Sequence, residues 1–147
     1  MINETVKLKG DLVITVLDKD GKVKERREEK NLIVSAGLTF ICSRMANATA
    51  GVMSHMAVGS GTTTPAASNT DLGTVLGARE PLDSTTASSN TVTYVSSFEA
   101  GEGTGAVTEA GLFNAASSGT MLCRTVFPVV NKGANDTMAI TWIITLS

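Results

Sequence analysis

Apolar and polar residues alternate most regularly at the C-terminal end of the chain. Between Thr137 and Leu146 every second side chain is large and apolar, and most positions between them carry threonine or alanine. The apolar positions are Met138, Ile140, Trp142, Ile144 and Leu146. Because successive side chains of a β-strand point to opposite faces, this pattern predicts a strand with one buried face. We expect that strand to pair within a sheet rather than to form a tail.

A second clear pattern, near the N-terminus, predicts a β-hairpin. Residues 8–17 are rich in apolar, β-branched side chains, and Asp18-Lys19-Asp20-Gly21 follows as a turn. Residues 22–30 are nearly all charged apart from Val23. That composition is typical of an exposed edge strand, where charge prevents pairing with other chains. The turn lacks the later acidic ligands of a calcium loop, so we predict no calcium site.

One segment has the spacing of an amphipathic helix. Ser35 is a possible N-cap, and a helix over about residues 36–46, ending near Asn47, would follow it. The apolar positions at helical spacing are Leu38, Ile41, Cys42 and Met45. We expect this stripe to close one side or end of the sheet core.

The rest of the chain predicts short strands separated by turns. Strands are expected at residues 52–58, irregularly at 79–89, and then at 106–113 and 120–130, with a polar loop at 59–69 and a weak helical turn at 72–76. Val92, Tyr94 and Phe98 share one face of a further strand. This rhythm predicts a mainly β fold, a single-domain antiparallel β-sandwich or jelly-roll-like barrel of about eight strands with one short α-helix.

Composition agrees with one folded domain. The chain has 147 residues, of which 42% are hydrophobic and 18% charged, enough to bury its own core. We treat residues 1–147 as one β-sandwich domain, with the hairpin and edge strands in 1–34, the helix in 35–47 and the remaining strands in 52–147. Neither a secretion signal nor the ~20 apolar residues of a membrane span can be found, so we expect a soluble chain that binds no membrane.

Charge argues against a nucleic-acid partner. The net charge of −2 provides no overall field that would attract phosphates. Basic residues cluster only at Lys22, Lys24, Arg26, Arg27 and Lys30, where three glutamates nearly cancel their charge. We interpret this run as the solvated face of the edge strand and predict no direct binding of nucleic acid.

The residues needed for catalysis or metal binding are scarce. His55 is the single histidine, and no G-x-S-x-G motif supplies a nucleophile. Cys42 and Cys123 are far apart, match no zinc or redox spacing, and are expected to be buried free thiols. Glycine segments 59–61 and 101–105 lack the Lys-Ser/Thr of a phosphate-binding loop and predict plain turns. We therefore predict no enzyme, no metal and no cofactor.

Sugar chemistry has equally little to use. Glu99, Glu102 and Glu109 lie around one predicted hairpin, without the aromatic-floored cleft of a glycosidase. Trp142 and Phe127 fall on core-facing patterns, which leaves chiefly Tyr94 for stacking on a sugar. A carbohydrate-binding module or small enzyme is the alternative outside the structural class.

Four segments of the chain resemble a family of small proteins encoded among the structural genes of tailed bacteriophages and prophages. They are Val52-Met53-Ser54-His55-Met56-Ala57-Val58-Gly59-Ser60-Gly61-Thr62-Thr63, Thr108-Glu109-Ala110-Gly111-Leu112-Phe113-Asn114, Met121-Leu122-Cys123-Arg124-Thr125-Val126-Phe127-Pro128 and Thr137-Met138-Ala139-Ile140-Thr141-Trp142. Cys123 stands where the family pattern leads us to expect a small residue, often alanine. The resemblance covers nearly the whole chain.

The resemblance implies a non-enzymatic virion protein that assembles in the host cytoplasm. One hypothesis is a capsid cement or decoration protein that bridges neighbouring capsid subunits, and the alternative is a tail or tail-fibre-associated adaptor. The implied partners are further copies of the chain, as dimer or trimer, and the major capsid protein or else tail proteins. The segments expected to contact them, besides the N-terminal residues, contain Lys22, Lys24, Arg26, Arg27, Gly59, Ser60, Gly61, Thr62 and Thr63.

Overall fold

The computed structural model describes residues 4–46 and 51–147, which form a β-sandwich with one helix. Its elements are β1 (Leu8–Leu17), β2 (Val23–Lys30), β3 (Leu32–Ile33), α1 (Ser35–Met45), β4 (His55–Gly59), β5 (Glu80–Pro81), β6 (Ser84–Ser88), β7 (Thr91–Phe98), β8 (Gly105–Phe113), β9 (Met121–Lys132) and β10 (Thr137–Leu146). The predicted fold class is confirmed. These ranges contain ten strands rather than about eight, because two-residue strands such as β3 and β5 are too short to show an alternating pattern.

Two five-stranded antiparallel sheets make up the sandwich. Sheet A has the order β2-β1-β10-β7-β6, and sheet B has the order β3-β9-β8-β4-β5. Side chains from both sheets meet in one core, which includes Leu12, Val58, Leu112 and Trp142. The hairpin of β1 and β2 lies where the sequence predicts it, and its charged strand is an edge of sheet A.

Strand β10 occupies the centre of sheet A. It pairs with β1 from Leu8↔Leu146 to Leu17↔Thr137, and with β7 on its other side. The predicted alternation is confirmed, since Met138, Ile140, Trp142 and Ile144 are buried. Strand β10 therefore joins the β2-β1 and β7-β6 parts of sheet A.

The chain crosses from sheet A to sheet B at Asn31, between β2 and β3. Its side-chain Oδ1 accepts a hydrogen bond of 2.6 Å from the indole Nε1 of the fully buried Trp142. Gly10 makes room for this amide, because a Cβ at that position would lie 1.5 Å from Asn31 Oδ1. The residue at the crossing is thus hydrogen-bonded to a fully buried side chain of the core.

The outer face of sheet B is covered by the segment between β4 and β5, which we call the cover loop (residues 60–79). Leu72 from this loop packs with Ala57, Phe113 and Met121 in a second, smaller apolar cluster. As a result nearly all of β8 is buried, on both of its faces. The predicted helical turn at 72–76 is wrong, since Val75 instead makes an isolated bridge to Gly59.

Helix α1 forms where expected, but of the predicted buried stripe only Ile41 packs against the core. Leu38 is 45% exposed, Met45 is 83% exposed, and Cys42 is exposed rather than buried. The helix packs through the buried Gly37, where a Cβ would lie only 2.2 Å from the carbonyl oxygen of Leu122. Close backbone approach at a glycine, instead of the widest apolar stripe, therefore decides which side of the helix is covered.

The start of α1 also differs from the expectation, which placed the N-cap at Ser35. Val34 is the N-cap residue and no side chain caps the helix, while the backbone N–H of Ser35 donates to Ala67 of the cover loop. The predicted end near Asn47 lies outside the described residues. In the described ranges, the helix is too short and too polar to cross a membrane.

Candidate interaction surface

A buried carboxylate lies beneath the cover loop. Glu109, on β8, is fully buried, and its Oε1 accepts hydrogen bonds from the backbone N–H groups of Gly61 and Thr74, at 2.9 and 2.8 Å. Its Oε2 accepts another from Gly73, at 2.9 Å. One side chain therefore holds the start of the cover loop and its residues 73–74 against sheet B.

The guanidinium of Arg124, on the neighbouring strand β9, completes this arrangement. Arg124 is 2% exposed, and its Nη2 and Nε lie 2.8 and 3.1 Å from Glu109 Oε2. Its Nη1 donates to the carbonyl of Thr63 and to Asn69 Oδ1, at 3.0 and 3.1 Å. We call Glu109 and Arg124, with the loop backbone they bind, the anchor cluster. The anchor cluster therefore binds the cover loop at five residues between positions 61 and 74.

The environment of Glu109 keeps it ionised. Burial raises the pKa of its carboxyl group, but the N–H donors of Thr74, Gly73 and Gly61 together with the Arg124 guanidinium outweigh burial and hold that pKa below its ordinary value. A buried ion pair is tolerated when hydrogen bonds satisfy both partners, as they do here. The anchor cluster is therefore a charged but satisfied structural unit.

The carboxylate of Glu109 leaves no room for a side chain at two glycines of the predicted glycine segment 59–61. A Cβ on either Gly59 or Gly61 would lie 2.5 Å from Glu109 Oε1. The sequence predicts a plain turn here because no phosphate-binding motif is present. The structure adds that the loop N–H groups do surround an anion, which is the chain's own Glu109.

The surface of the cover loop is polar. Thr62 and Thr63 are exposed, Ser60 and Gly61 are partly buried, and Gly59 is buried. Beside them is a hollow of about 340 Å³, bordered by residues that include Ser68, Thr70 and Asp71. Of the predicted contact residues in this loop, only the threonines are thus well placed to touch a partner.

The charged edge strand lies on the other sheet, so the structure does not join the two predicted contact segments. Lys22 is exposed, and Arg26 pairs with Glu28 at 3.0 Å on the surface. Lys24 Nζ lies 2.5 Å from the carboxylate of Asp136 in the turn before β10. This contact and the N–H of Gly133 hold the pKa of Asp136 below its ordinary value.

Arg27 connects the two sheets at that edge. It pairs with Glu25 and donates to the backbone carbonyls of Pro128 and Val129 on β9, at 3.0 and 3.3 Å. Its guanidinium is engaged inside the chain rather than presented to a partner. We therefore regard Arg27 as a structural residue of the sandwich.

A second concave feature is an apolar groove between α1 and sheet A, with a volume of about 350 Å³. Its lining includes Phe40, Ile41, Met45, Val92, Tyr94 and Ile144. Tyr94 is 9% exposed, and burial raises the pKa of its phenol to about 12. The ring is largely covered within this groove, unlike the exposed aromatic platform on which a sugar would stack.

Two further ionisable side chains, His55 and Lys132, make internal contacts. His55 Nδ1 lies 2.8 Å from Ser54 Oγ, and the buried Lys132 donates to the carbonyl of Glu99 at 2.9 Å. Cys42 and Cys123 are free thiols, and burial raises the pKa of Cys123 well above its ordinary value. Within residues 4–46 and 51–147, no three histidine, cysteine, aspartate or glutamate side chains are grouped so that they could hold a metal ion.

Comparisons with protein-family models, with curated proteins and with solved structures give no match for the chain.

Proposed function

We propose that the chain is a non-enzymatic structural protein of a tailed-phage virion, and that it acts as a capsid cement or decoration protein. The observation that carries the proposal is where the phage-like segments lie. Gly61, Glu109 and Arg124 come from three of the four segments that resemble the phage family, and they are bonded together in the anchor cluster. The resemblance therefore coincides with a single structural unit that presents a loop.

The anchor cluster suits a protein that works by contact. Glu109 and Arg124 form hydrogen bonds with the loop backbone and with each other. These bonds order the loop without exposing a reactive group. Such a loop presents Thr62 and Thr63 in one fixed arrangement. Contacts of this kind, repeated over many symmetry-related copies, would add buried area between neighbouring capsid subunits and stabilise the shell.

Copy number in purified virions tests the proposal. We expect mass spectrometry to find the chain at a number of copies comparable to that of the major capsid protein, with immunogold label on the heads. If the label lies on tails, or about a dozen copies or fewer are present per particle, the protein belongs to the tail and the decoration role is wrong. Absence from virions would reject a structural role altogether.

A loop variant tests the proposed surface. Thr62→Glu places a charge on the exposed part of the cover loop, and we expect it to reduce incorporation into particles while leaving the fold intact. Asn135→Glu makes the same change at an exposed position in the turn between β9 and β10 and serves as the matched control. Equal incorporation of both variants would contradict a contact through the cover loop.

A further inference from the structure

The four edge strands of the sandwich differ in how well they are protected against pairing with another chain. Strands β3 and β5, at the edges of sheet B, have only two residues each, and β5 contains Pro81. Strand β2, at one edge of sheet A, is covered with alternating charges. Short length, proline and charge are the usual means by which natural sheets prevent strand addition. Three of the four edges have at least one of them.

Strand β6, at the other edge of sheet A, has none of these protections. Its sequence is Ser84-Thr85-Thr86-Ala87-Ser88, with no charge and no proline, and all five residues are exposed. It pairs with β7 over its whole length, and in the described parts of the chain no strand of sheet A lies on its other side. A row of backbone N–H and C=O groups is therefore open to a further strand.

We propose that β6 pairs antiparallel with β6 of a second copy of this chain, so that two sheets A form one continuous ten-stranded sheet. A two-fold axis perpendicular to the sheet at Thr86 places Thr86 opposite itself, Ser84 opposite Ser88 and Thr85 opposite Ala87. Every facing pair is small and uncharged, and threonine pairs across strands are favourable. The strand is thus complementary to itself, as an interface with two-fold symmetry requires.

The charged edge of the same sheet gives the contrasting case. An axis at Arg27 of β2 would place Arg27 opposite itself, Lys24 opposite Lys30 and Glu25 opposite Glu29, and only Arg26 would face an opposite charge, at Glu28. Like charges facing each other across strands are destabilising. In that register most facing pairs of β2 repel each other, whereas no facing pair of β6 is charged.

Apolar surface next to β6 supplies further area for the contact. Val92 and Tyr94 of β7, which line the apolar groove, are the cross-strand partners of Ala87 and Thr85. A two-fold axis perpendicular to the sheet keeps the inner faces of both copies on the same side, so the two grooves lie on either side of the joined β6 strands. Met45, 83% exposed at the groove wall, is then available for burial between copies.

The mass of the full chain in solution tests this pairing independently of any role in a virion. By sedimentation equilibrium over a range of concentrations we expect a reversible dimer. Thr86→Lys should raise the dissociation constant at least about tenfold, because it places two lysines opposite each other on the axis. Val23→Lys adds the same charge at an exposed position on the protected edge and should leave the dissociation constant unchanged.

A charge exchange makes the test specific to the proposed register. Thr86→Glu alone should weaken the dimer as Thr86→Lys does. Because residue 86 faces residue 86, an equimolar mixture of the two variants places opposite charges together and should form the heterodimer. The proposal is overturned if the unmodified chain stays monomeric at every concentration. It is also overturned if Thr86→Lys dimerises as well as the unmodified chain, which would place the contact elsewhere, or if the mixture fails to associate.

Discussion

Glu109 and Arg124 bind five residues of the cover loop, and they differ from the surface ion pairs of this structure by being almost completely buried. Removing one charge of a buried pair leaves the other without compensation. We therefore expect Glu109→Gln to lower the free energy of unfolding by about 3–5 kcal/mol. Urea denaturation followed by fluorescence of Trp142 measures this change.

Two further variants separate this effect from a general loss of charge. Glu28→Gln removes a carboxylate that is bonded to Arg26 on the surface, and should change the free energy of unfolding by less than about 1 kcal/mol. Adding Arg124→Met to Glu109→Gln removes the uncompensated charge and should recover part of the loss. If Glu109→Gln were as mild as Glu28→Gln, the anchor cluster would not hold the loop.

The ionisation of Glu109 also predicts how stability depends on pH. Its pKa is lower in the folded chain than in the unfolded chain, because N–H donors and Arg124 stabilise the carboxylate. The stabilisation is therefore complete above the unfolded pKa, about 4.3, and is lost as the pH falls through the folded pKa. We expect the urea concentration at the unfolding midpoint to decrease as the pH is lowered below about 4. The decrease should be less steep in Glu109→Gln. If the urea midpoints of the unmodified chain and of Glu109→Gln decreased equally with pH, the proposed contribution of Glu109 would be contradicted.

Sequence reasoning missed the anchor cluster for an identifiable reason. In the sequence Glu109 is only one of several carboxylates near a predicted hairpin. Its contacts with Gly61, Gly73 and Thr74 span more than thirty positions, and local spacing does not indicate contacts at that separation. A signal was present: Glu109 is the single charge of β8, and Arg124 lies in an otherwise uncharged stretch of β9 that ends at Lys132. Such isolated charges are expected to find each other when the strands become neighbours.

At the level of elements, α1 shows which information a sequence pattern contains. Helical spacing predicted that the segment is a helix, since spacing reflects local geometry. It did not predict the covered face, because Gly37 approaches the backbone of Leu122 in a way that depends on the position of β9. Leu38 and Met45, at the right spacing for a core, remain exposed as a result.

The docking of α1 can be tested at that glycine. Gly37→Ala would place a Cβ 2.2 Å from the carbonyl oxygen of Leu122, so the helix must shift away from β9. Although alanine favours helix formation, we expect a net loss of about 1–3 kcal/mol in the free energy of unfolding. Gly51→Ala, at a glycine whose added Cβ would have nothing within 4 Å, is the matched control. A stabilised Gly37→Ala variant would contradict this packing.

At the scale of the whole molecule, the alternating pattern predicted a sandwich but not the order of its strands. The alternation of β10 identifies its buried face, yet nothing in it indicates that β1 and β7 are its neighbours. Pairing between strands so distant in sequence is decided by the shared core. The charged composition of β2, in contrast, did identify an edge strand.

The central place of β10 predicts that the fold depends on its last residues. Deleting Trp142 onward removes half of the strand that joins β1 to β7, together with the hydrogen bond to Asn31. We expect no cooperative thermal unfolding transition from a chain ending at Thr141. Deleting Ser147 alone removes only end contacts with Lys7 and should preserve the transition. An unchanged transition in the shorter chain would show that this account of the core is wrong.

The internal carboxylate beneath the cover loop has a consequence for the thermodynamics of recognition. A loop that becomes ordered only on contact with its target loses conformational entropy at that moment, and its affinity is lowered accordingly. Here the loop backbone is already bonded to Glu109 and Arg124, so that entropy is lost when the chain folds. Association through this loop should therefore have a small entropic penalty and little dependence on dissolved anions, since the position an anion would take is filled from within.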